Sequence, residues 1–160
     1  MILNKKIKLL TLDIDGVLTD GGIYLTEKGD VSKKFNVKDG VGIRNTLNAG
    51  IEVGFITAGV KGKKLVEERA KMLGVKFVYS GKDEKLDILK KWCAKLKIKL
   101  NEVAHIADDT NDLNILAAVG VSACPADAVT EVKKAVQIIL NKKGGEGCVR
   151  EFTDKYLLNE

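Results

Sequence analysis

Short apolar runs alternate along the chain with stretches whose apolar residues recur every three or four positions. The short runs read as strands buried on both faces, and the three-to-four recurrence reads as amphipathic helices. The first run, Ile7 to Leu12, stops abruptly at Asp13. Further strands are expected over 51–56, 75–79, 103–107, 121–124 and 136–140. Helices are expected over 39–49, with Asp39 as N-cap and Gly50 past the end, and over 63–73, closed by Gly74. Three more are expected over 83–96, 111–119 and 128–135, the first of these carrying Leu86, Leu89, Cys93 and Leu96 on one stripe. Strands alternating with helices predict a three-layer α/β sandwich, a central, mostly parallel sheet covered on both faces. Residues 23–35 break the alternation: two short strands flank Glu27-Lys28-Gly29-Asp30, a hairpin inserted over about 22–36. The segment from about 142 to 160 opens with Gly144-Gly145-Glu146-Gly147, is expected to be mobile, and ends in a short helix.

Composition narrows the class. The chain has 160 residues, which suits a single domain spanning 1–160. An apolar fraction of 45% is too high for a disordered chain. No run reaches the roughly 18 apolar residues of a membrane span. Residues 1–8 lack a small-residue cleavage site and do not read as a signal peptide. Cys93, Cys124 and Cys148 form no CxxC pair, which argues against a disulfide framework or zinc site and suits a reducing cytoplasm. The net charge of +5 is mild, and the few aromatic residues are too scattered for a base-stacking surface, so a nucleic-acid partner is not expected.

In a parallel sheet, ligands bind beyond the carboxyl ends of the strands. Asp13-Ile14-Asp15-Gly16 follows the first strand, Thr57 the second, and Asp108-Asp109-Thr110-Asn111-Asp112 the fourth, while Lys85 opens the helix leading to the fourth strand. Asp13 and Asp15 are two apart, so an extended segment points both the same way. Carboxylates that face one another need a cation between them, and hard oxygen ligands suit Mg²⁺ with a substrate phosphate. Each Asp taken alone reads as a turn former or helix cap. The convergence of the two acid clusters with a hydroxyl and an amine on one edge favours phosphate chemistry. His105 lies within a strand pattern and reads as a packed histidine, Cys93 and Trp92 read as core, and Cys124 and Cys148 lack the surroundings of a nucleophile. Arg69 and Arg150 are candidates to grip a substrate carboxylate with two hydrogen bonds.

These motifs resemble those of the haloacid dehalogenase superfamily of phosphotransferases. Asp13-Ile14-Asp15-Gly16-Val17 matches its first motif, Thr57 its second, Lys85 its third, and Asp108-Asp109-Thr110-Asn111-Asp112 its fourth. Asp15 to Gly21, the hairpin, Phe35-Asn36-Val37-Lys38-Asp39-Gly40 and Gly144 to Glu151 further resemble the capless sugar-acid phosphatases. That group acts on 3-deoxy-D-manno-octulosonate 8-phosphate and nonulosonate 9-phosphates. The resemblance implies Asp13 as nucleophile, Asp15 as general acid and base, and Mg²⁺ held by Asp13, the Asp15 carbonyl and Asp108. It implies Thr57 and Lys85 on the phosphoryl oxygens, Gly16 in substrate binding, Asp109 as a water-mediated ligand or as the residue that orients Lys85, and Asp112 in support. It also implies a homotetramer in which the hairpin packs and a neighbour's glycine-rich tail helps close the site. Two departures stand out: the second motif reads Thr57-Ala58-Gly59-Val60-Lys61 where relatives have Thr-Gly-Arg or Thr-Gly-Glu, and Ala107 replaces a glycine.

Two other readings compete. One is the same hydrolysis of another small phosphomonoester. The other is a non-catalytic, phospho-accepting signalling domain, which also uses acids, a Thr and a Lys. A receiver of that kind has its acceptor at a middle strand and its Lys near the end, whereas here the Asp-x-Asp pair comes first and the Lys precedes the last acid cluster.

Overall fold

The computed structural model of the chain describes residues 6–158. In chain order the strands are β1 (Leu9–Leu12), β2 (Tyr24–Leu25), β3 (Val31–Ser32), β4 (Glu52–Thr57), β5 (Phe77–Ser80), β6 (Val103–Ile106), β7 (Val121–Cys124) and β8 (Ile138–Ile139). The helices are α1 (Val37–Asn48), α2 (Lys63–Leu73), α3 (Lys85–Leu96), α4 (Leu113–Ala118), α5 (Thr130–Ala135) and α6 (Cys148–Phe152). Six strands form one sheet in the order β5-β4-β1-β6-β7-β8, and all its pairs are parallel. The chain winds outward from β1 through β4 to β5, then crosses back to β6. Strand order therefore reverses beside β1, the place where open α/β sheets bind ligands.

Alternation along the central strands builds two apolar layers. Leu10, Leu12, Val53, Phe55, Ala104 and Ile106 face one side, where they pack with residues of α1, α2 and α6. Leu9, Ile56 and Val103 face the other, under Ile88, Leu89 and Cys93 of α3 and Ile115 of α4. Thr11 and His105 are register partners on that second side, within the strands but buried beneath the starts of α3 and α4. Strands β2 and β3 pair antiparallel as the expected hairpin, with Leu25 opposite Val31.

Several boundaries differ from those the sequence pattern suggests. Helix α1 begins at Val37, because the Asn36 side chain accepts the Lys38 amide at 2.8 Å and takes the capping role expected of Asp39. The expected helix over 111–119 splits into a tight turn over Thr110–Asp112 and then α4. The glycine-rich segment, expected to be mobile, packs against the loop after β1. The Gly145 amide donates to the Val17 carbonyl at 2.9 Å, the Gly144 amide to Asp127 at 3.0 Å, and the Asn36 side chain to the Gly145 carbonyl at 3.1 Å. A Cβ on Gly144 would stand 1.9 Å from the Gly16 carbonyl oxygen, so the glycine permits a contact that a larger residue would block. Beyond it, Glu151 accepts the amides of Asn141 and Lys142, which ties α6 to the chain leaving β8.

Asp39, released from capping α1, is buried and accepts the Arg150 amide at 2.9 Å. Burial raises its pKa to about 6, against the lowering effect of the Arg150, Gly147 and Val149 amides. The native state therefore holds this proton up to about pH 6, whereas the unfolded chain releases it near the ordinary aspartate value of 3.8. The extra native-state proton binding makes this contribution to stability fall as pH rises through that window. The Asp39→Asn variant lacks the titration. Urea midpoints from pH 4 to 7 should show wild type losing up to about 3 kcal/mol relative to Asp39→Asn, at ~1.4 kcal/mol per pH unit. A difference independent of pH would show that Asp39 does not titrate in this range.

Candidate active site

The site lies at the carboxyl ends of β1, β4 and β6. Asp13 follows β1 directly, and its amide donates to the Ile106 carbonyl at 3.1 Å, so the two strands leave the sheet together. Ile14 to Leu18 then form one irregular turn in which Asp15 stays extended and Gly16 takes φ 84°. Gly16 is required twice over. Its φ disfavours any side chain, and a Cβ there would stand 1.9 Å from Asp108 Oδ2. Asp13, Asp15, Thr57, Asp108, Asp109 and Asn111 line a cavity of about 510 Å³.

Lys85, at the first turn of α3, is 5% exposed and reaches into this cluster from below. Its Nζ lies 3.0 Å from Asp13 Oδ1 and 2.7 Å from Asp112 Oδ1. Burial alone would lower the lysine pKa, but the charges of Asp13 and Asp112 hold it above the ordinary value. Asp112 faces His105 as well, with Nε2 at 3.3 Å from Oδ2. Burial disfavours its charge, yet His105 and Lys85 together hold its carboxyl below the usual range. Asp13 fares differently: burial raises its pKa more than Lys85 can lower it, and the Asp112 charge adds to the rise. One cation is thus divided between two carboxylates, and Asp112 has a second donor.

Asp108 is pushed to about 7, first by burial and then by the charge of Asp13. Two carboxylates facing each other across a cavity in this way could hold a further cation between them. Among the described residues no group of three or more His, Cys, Asp or Glu side chains is arranged to hold a metal ion. Two carboxylates are what Mg²⁺ commonly takes from a protein, with backbone carbonyl, water and phosphate oxygens completing its shell. Asp13, Asp108 and the carbonyl of Asp15 fit that donor set.

The remaining expected residues are placed as follows. Thr57 is buried at the end of β4, and its hydroxyl accepts the Gly59 amide at 3.2 Å, which turns the Thr57-Ala58-Gly59-Val60 loop back along the cavity. Asp109 is exposed and caps the following turn by accepting the Thr110 amide at 2.6 Å, so Lys85 is oriented by Asp112 rather than by Asp109. Ala107 has no left-handed backbone and packs with Leu116 and Cys124, so its methyl is accommodated. Arg69 and Arg150 do not line the cavity. Arg69 lies over the Phe35 ring and bonds the Asn36 carbonyl, and Arg150 pairs with Asp154 at 2.6 Å. Cys93, Cys124 and Cys148 are buried free thiols, and burial pushes all three pKa values up, away from nucleophilic character.

Two residues of the site escape a reading of the sequence. Lys33 of the hairpin, its side chain 5% exposed, donates to Asp15 Oδ1. Nothing local marks it among 27 Lys and Arg residues; only the fold carries the hairpin over the first motif. The strand pattern reads His105 as merely packed, yet it contacts the fourth motif through Asp112. Its signal is faint: it is the single histidine, seven residues before Asp112 on the strand that delivers Asp108.

Residues 68–152 match the model of a haloacid dehalogenase-like hydrolase family. The chain is 41% identical over 154 residues to a 3-deoxy-D-manno-octulosonate 8-phosphate phosphatase of Escherichia coli, covering 96% of this chain and 81% of that one. The crystal structure of the Yersinia pestis enzyme of the same name superposes with a TM-score of 0.90 at 40% identity, over 93% of this chain and 80% of that one. The Moraxella catarrhalis enzyme, solved with a magnesium ion, a phosphate ion and a KDO molecule, gives a TM-score of 0.90 at 34% identity, over 94% and 86%. The fold, the order of the motifs and these matches agree, and the chain belongs to the haloacid dehalogenase-like hydrolase family.

Proposed function

We propose that this chain is a Mg²⁺-dependent phosphatase that hydrolyses a sugar-acid phosphate, with 3-deoxy-D-manno-octulosonate 8-phosphate as the first candidate and a nonulosonate 9-phosphate as the second. The observation that carries this reading is a buried, lysine-held Asp13 with Asp15 two residues on, both opening into one acidic cavity. Lys85 occupies Asp13 Oδ1 and leaves Oδ2 to attack phosphorus. As the new P–O bond forms, the bond to the sugar oxygen breaks, and Asp15 gives its proton to that oxygen. Asp15 then takes a proton from water, which attacks the phosphorus of the aspartyl phosphate. Inorganic phosphate leaves and Asp13 is restored. Lys33 donates to Asp15 Oδ1, so the proton that Asp15 transfers sits on Oδ2. Thr57, which lines the cavity, faces the transferring group, and the Lys85 ammonium opposes its charge from behind Asp13. Asp13, Asp108 and the Asp15 carbonyl would hold Mg²⁺, which would supply the positive charge that Lys85 alone does not provide.

A recess of about 430 Å³ adjoins the cavity and shares Asp15 and Gly59 with it. It carries two lysines, Lys33 and Lys61, among the apolar residues Ile23, Leu25, Val31 and Val60. Lys33 is already paired with Asp15, so Lys61 is the cation this recess offers an anionic sugar. It also gives the atypical Thr57-to-Lys61 loop a role in selecting substrate, in place of Arg69 and Arg150 within one chain. A second arrangement follows from the surface. Ile23, Tyr24, Leu25 and Val60 are 53–66% exposed around this recess, a surface that association would cover. We infer a homotetramer built on the hairpin. No helix among the described residues is long and apolar enough to cross a membrane. The free cysteines fit a cytoplasmic location.

Phosphate release should be fastest on a sugar-acid phosphate, should stop on chelation of Mg²⁺, and should be absent in Asp13→Asn. Turnover by Asp13→Asn would remove the nucleophile assignment, and equal rates on all phosphomonoesters would remove the sugar-acid preference. Light scattering should give four times the 17.4 kDa chain mass. A monomer at the concentration of the assay would contradict the association.

A further inference from the structure

The lysine that holds the nucleophile is itself held by Asp112, and Asp112 is held by His105. We propose that His105 is a positioning residue for phosphoryl transfer, acting through Asp112 and Lys85 on the Asp13 carboxylate. The inference rests on the phosphatase reading above and adds a group that touches neither substrate nor metal.

The contacts run without a break. Thr11 Oγ1 lies 2.8 Å from His105 Nδ1, His105 Nε2 3.3 Å from Asp112 Oδ2, Asp112 Oδ1 2.7 Å from Lys85 Nζ, and Lys85 Nζ 3.0 Å from Asp13 Oδ1. Thr11 and His105 are fully buried, and Asp112 and Lys85 nearly so. His105 does not line the cavity, so direct chemistry on substrate is closed to it.

The donors and acceptors assign the tautomer. An ionised carboxylate only accepts, so His105 Nε2 carries the hydrogen shared with Asp112. On the other side of the ring, Nδ1 shares a hydrogen bond with the Thr11 hydroxyl, which can donate or accept. That hydroxyl also stands 3.3 Å from the Ala104 carbonyl, a longer contact. The Thr11 hydroxyl therefore holds the other ring nitrogen and fixes the ring so that Nε2 faces Asp112, a role more often seen behind metal ligands. The register of β1 on β6 places this pair directly below the starts of α3 and α4, where Lys85 and Asp112 arise.

Removal of His105 leaves Asp112 Oδ2 without its donor in a place water does not reach. The carboxylate can then recover only by turning both oxygens to Lys85. That draws the ammonium from Asp13 and frees the nucleophile to leave its attack geometry, where small displacements are costly. A packing role for His105 would have a different signature: any ring of similar size would serve, and only stability would change.

The test uses the full chain with Mg²⁺ and 3-deoxy-D-manno-octulosonate 8-phosphate. For His105→Phe, kcat should fall ~10–100-fold with KM within about threefold, the range seen when groups behind a site are removed. His105→Gln, whose amide can donate to Asp112, should recover most of that loss. Thr11→Val, which keeps shape but not the hydroxyl, should also lower kcat at unchanged KM, and it decides the matter if His105→Phe does not fold. Wild-type kcat in His105→Phe, or equal loss in His105→Phe and His105→Gln, would overturn the positioning role while leaving the phosphatase reading intact. A wild-type chain inactive on every sugar-acid phosphate would overturn that reading and this inference with it.

Discussion

A lysine buried between two aspartates is the constraint around which the site is arranged. An unpaired ammonium at 5% exposure would be costly, so Lys85 must keep both Asp13 and Asp112 within contact distance. That requirement ties the end of β1 to the start of α3 and the turn before α4. The same pairing leaves the site short of positive charge. Asp112 draws on Lys85 and His105 together, and Asp13 is left facing Asp108. The deficit is what a divalent cation and the demands of a phosphoryl group can share. Acidity here is therefore a property of the arrangement, and the chain's overall charge of +5 says little about it.

The fold meets this constraint with few residues. A parallel sheet whose order reverses beside β1 puts the ends of β1 and β6 next to each other, so Asp13 and Asp108 face one another. Close approach continues behind them. Gly16 makes room for the Asp108 carboxylate, and Gly144 makes room for the Gly16 carbonyl. The glycine-rich segment is thus a packed backing for the loop after β1. Among the described residues no cap domain is inserted, and the hairpin stands over the site and brings Lys33 to Asp15.

Much of this was legible in the sequence, because motif order and strand ends are local properties. The alternation of apolar runs and periodic stretches predicted the parallel sheet. The Asp-x-Asp pair, Thr57, Lys85 and the acid cluster at 108–112 marked one edge of it. What escaped depends on contacts between distant segments. Asp39 looks like a helix cap, but Asn36 is better placed, and Asp39 is buried against Arg150, more than a hundred residues away. Four glycine-rich residues suggest mobility until the loop after β1 is seen to receive them. Lys33 and His105 matter only through their partners, Asp15 and Asp112, and no spacing rule links them. Arg69 and Arg150 show the converse: arginine chemistry suited a substrate carboxylate, yet Phe35 and Asp154 occupy them.

The central claim is that Lys85 holds Asp13 so that its free oxygen takes the phosphoryl group. The most direct measurement is to quench the enzyme in acid during turnover with Mg²⁺, reduce it with borohydride and locate the change by peptide mass spectrometry. A phosphorylated Asp13 is reduced to homoserine at position 13, and that product is the predicted result. Turnover that leaves Asp13 unmodified, or that marks Asp15 or Asp108 instead, would contradict the account.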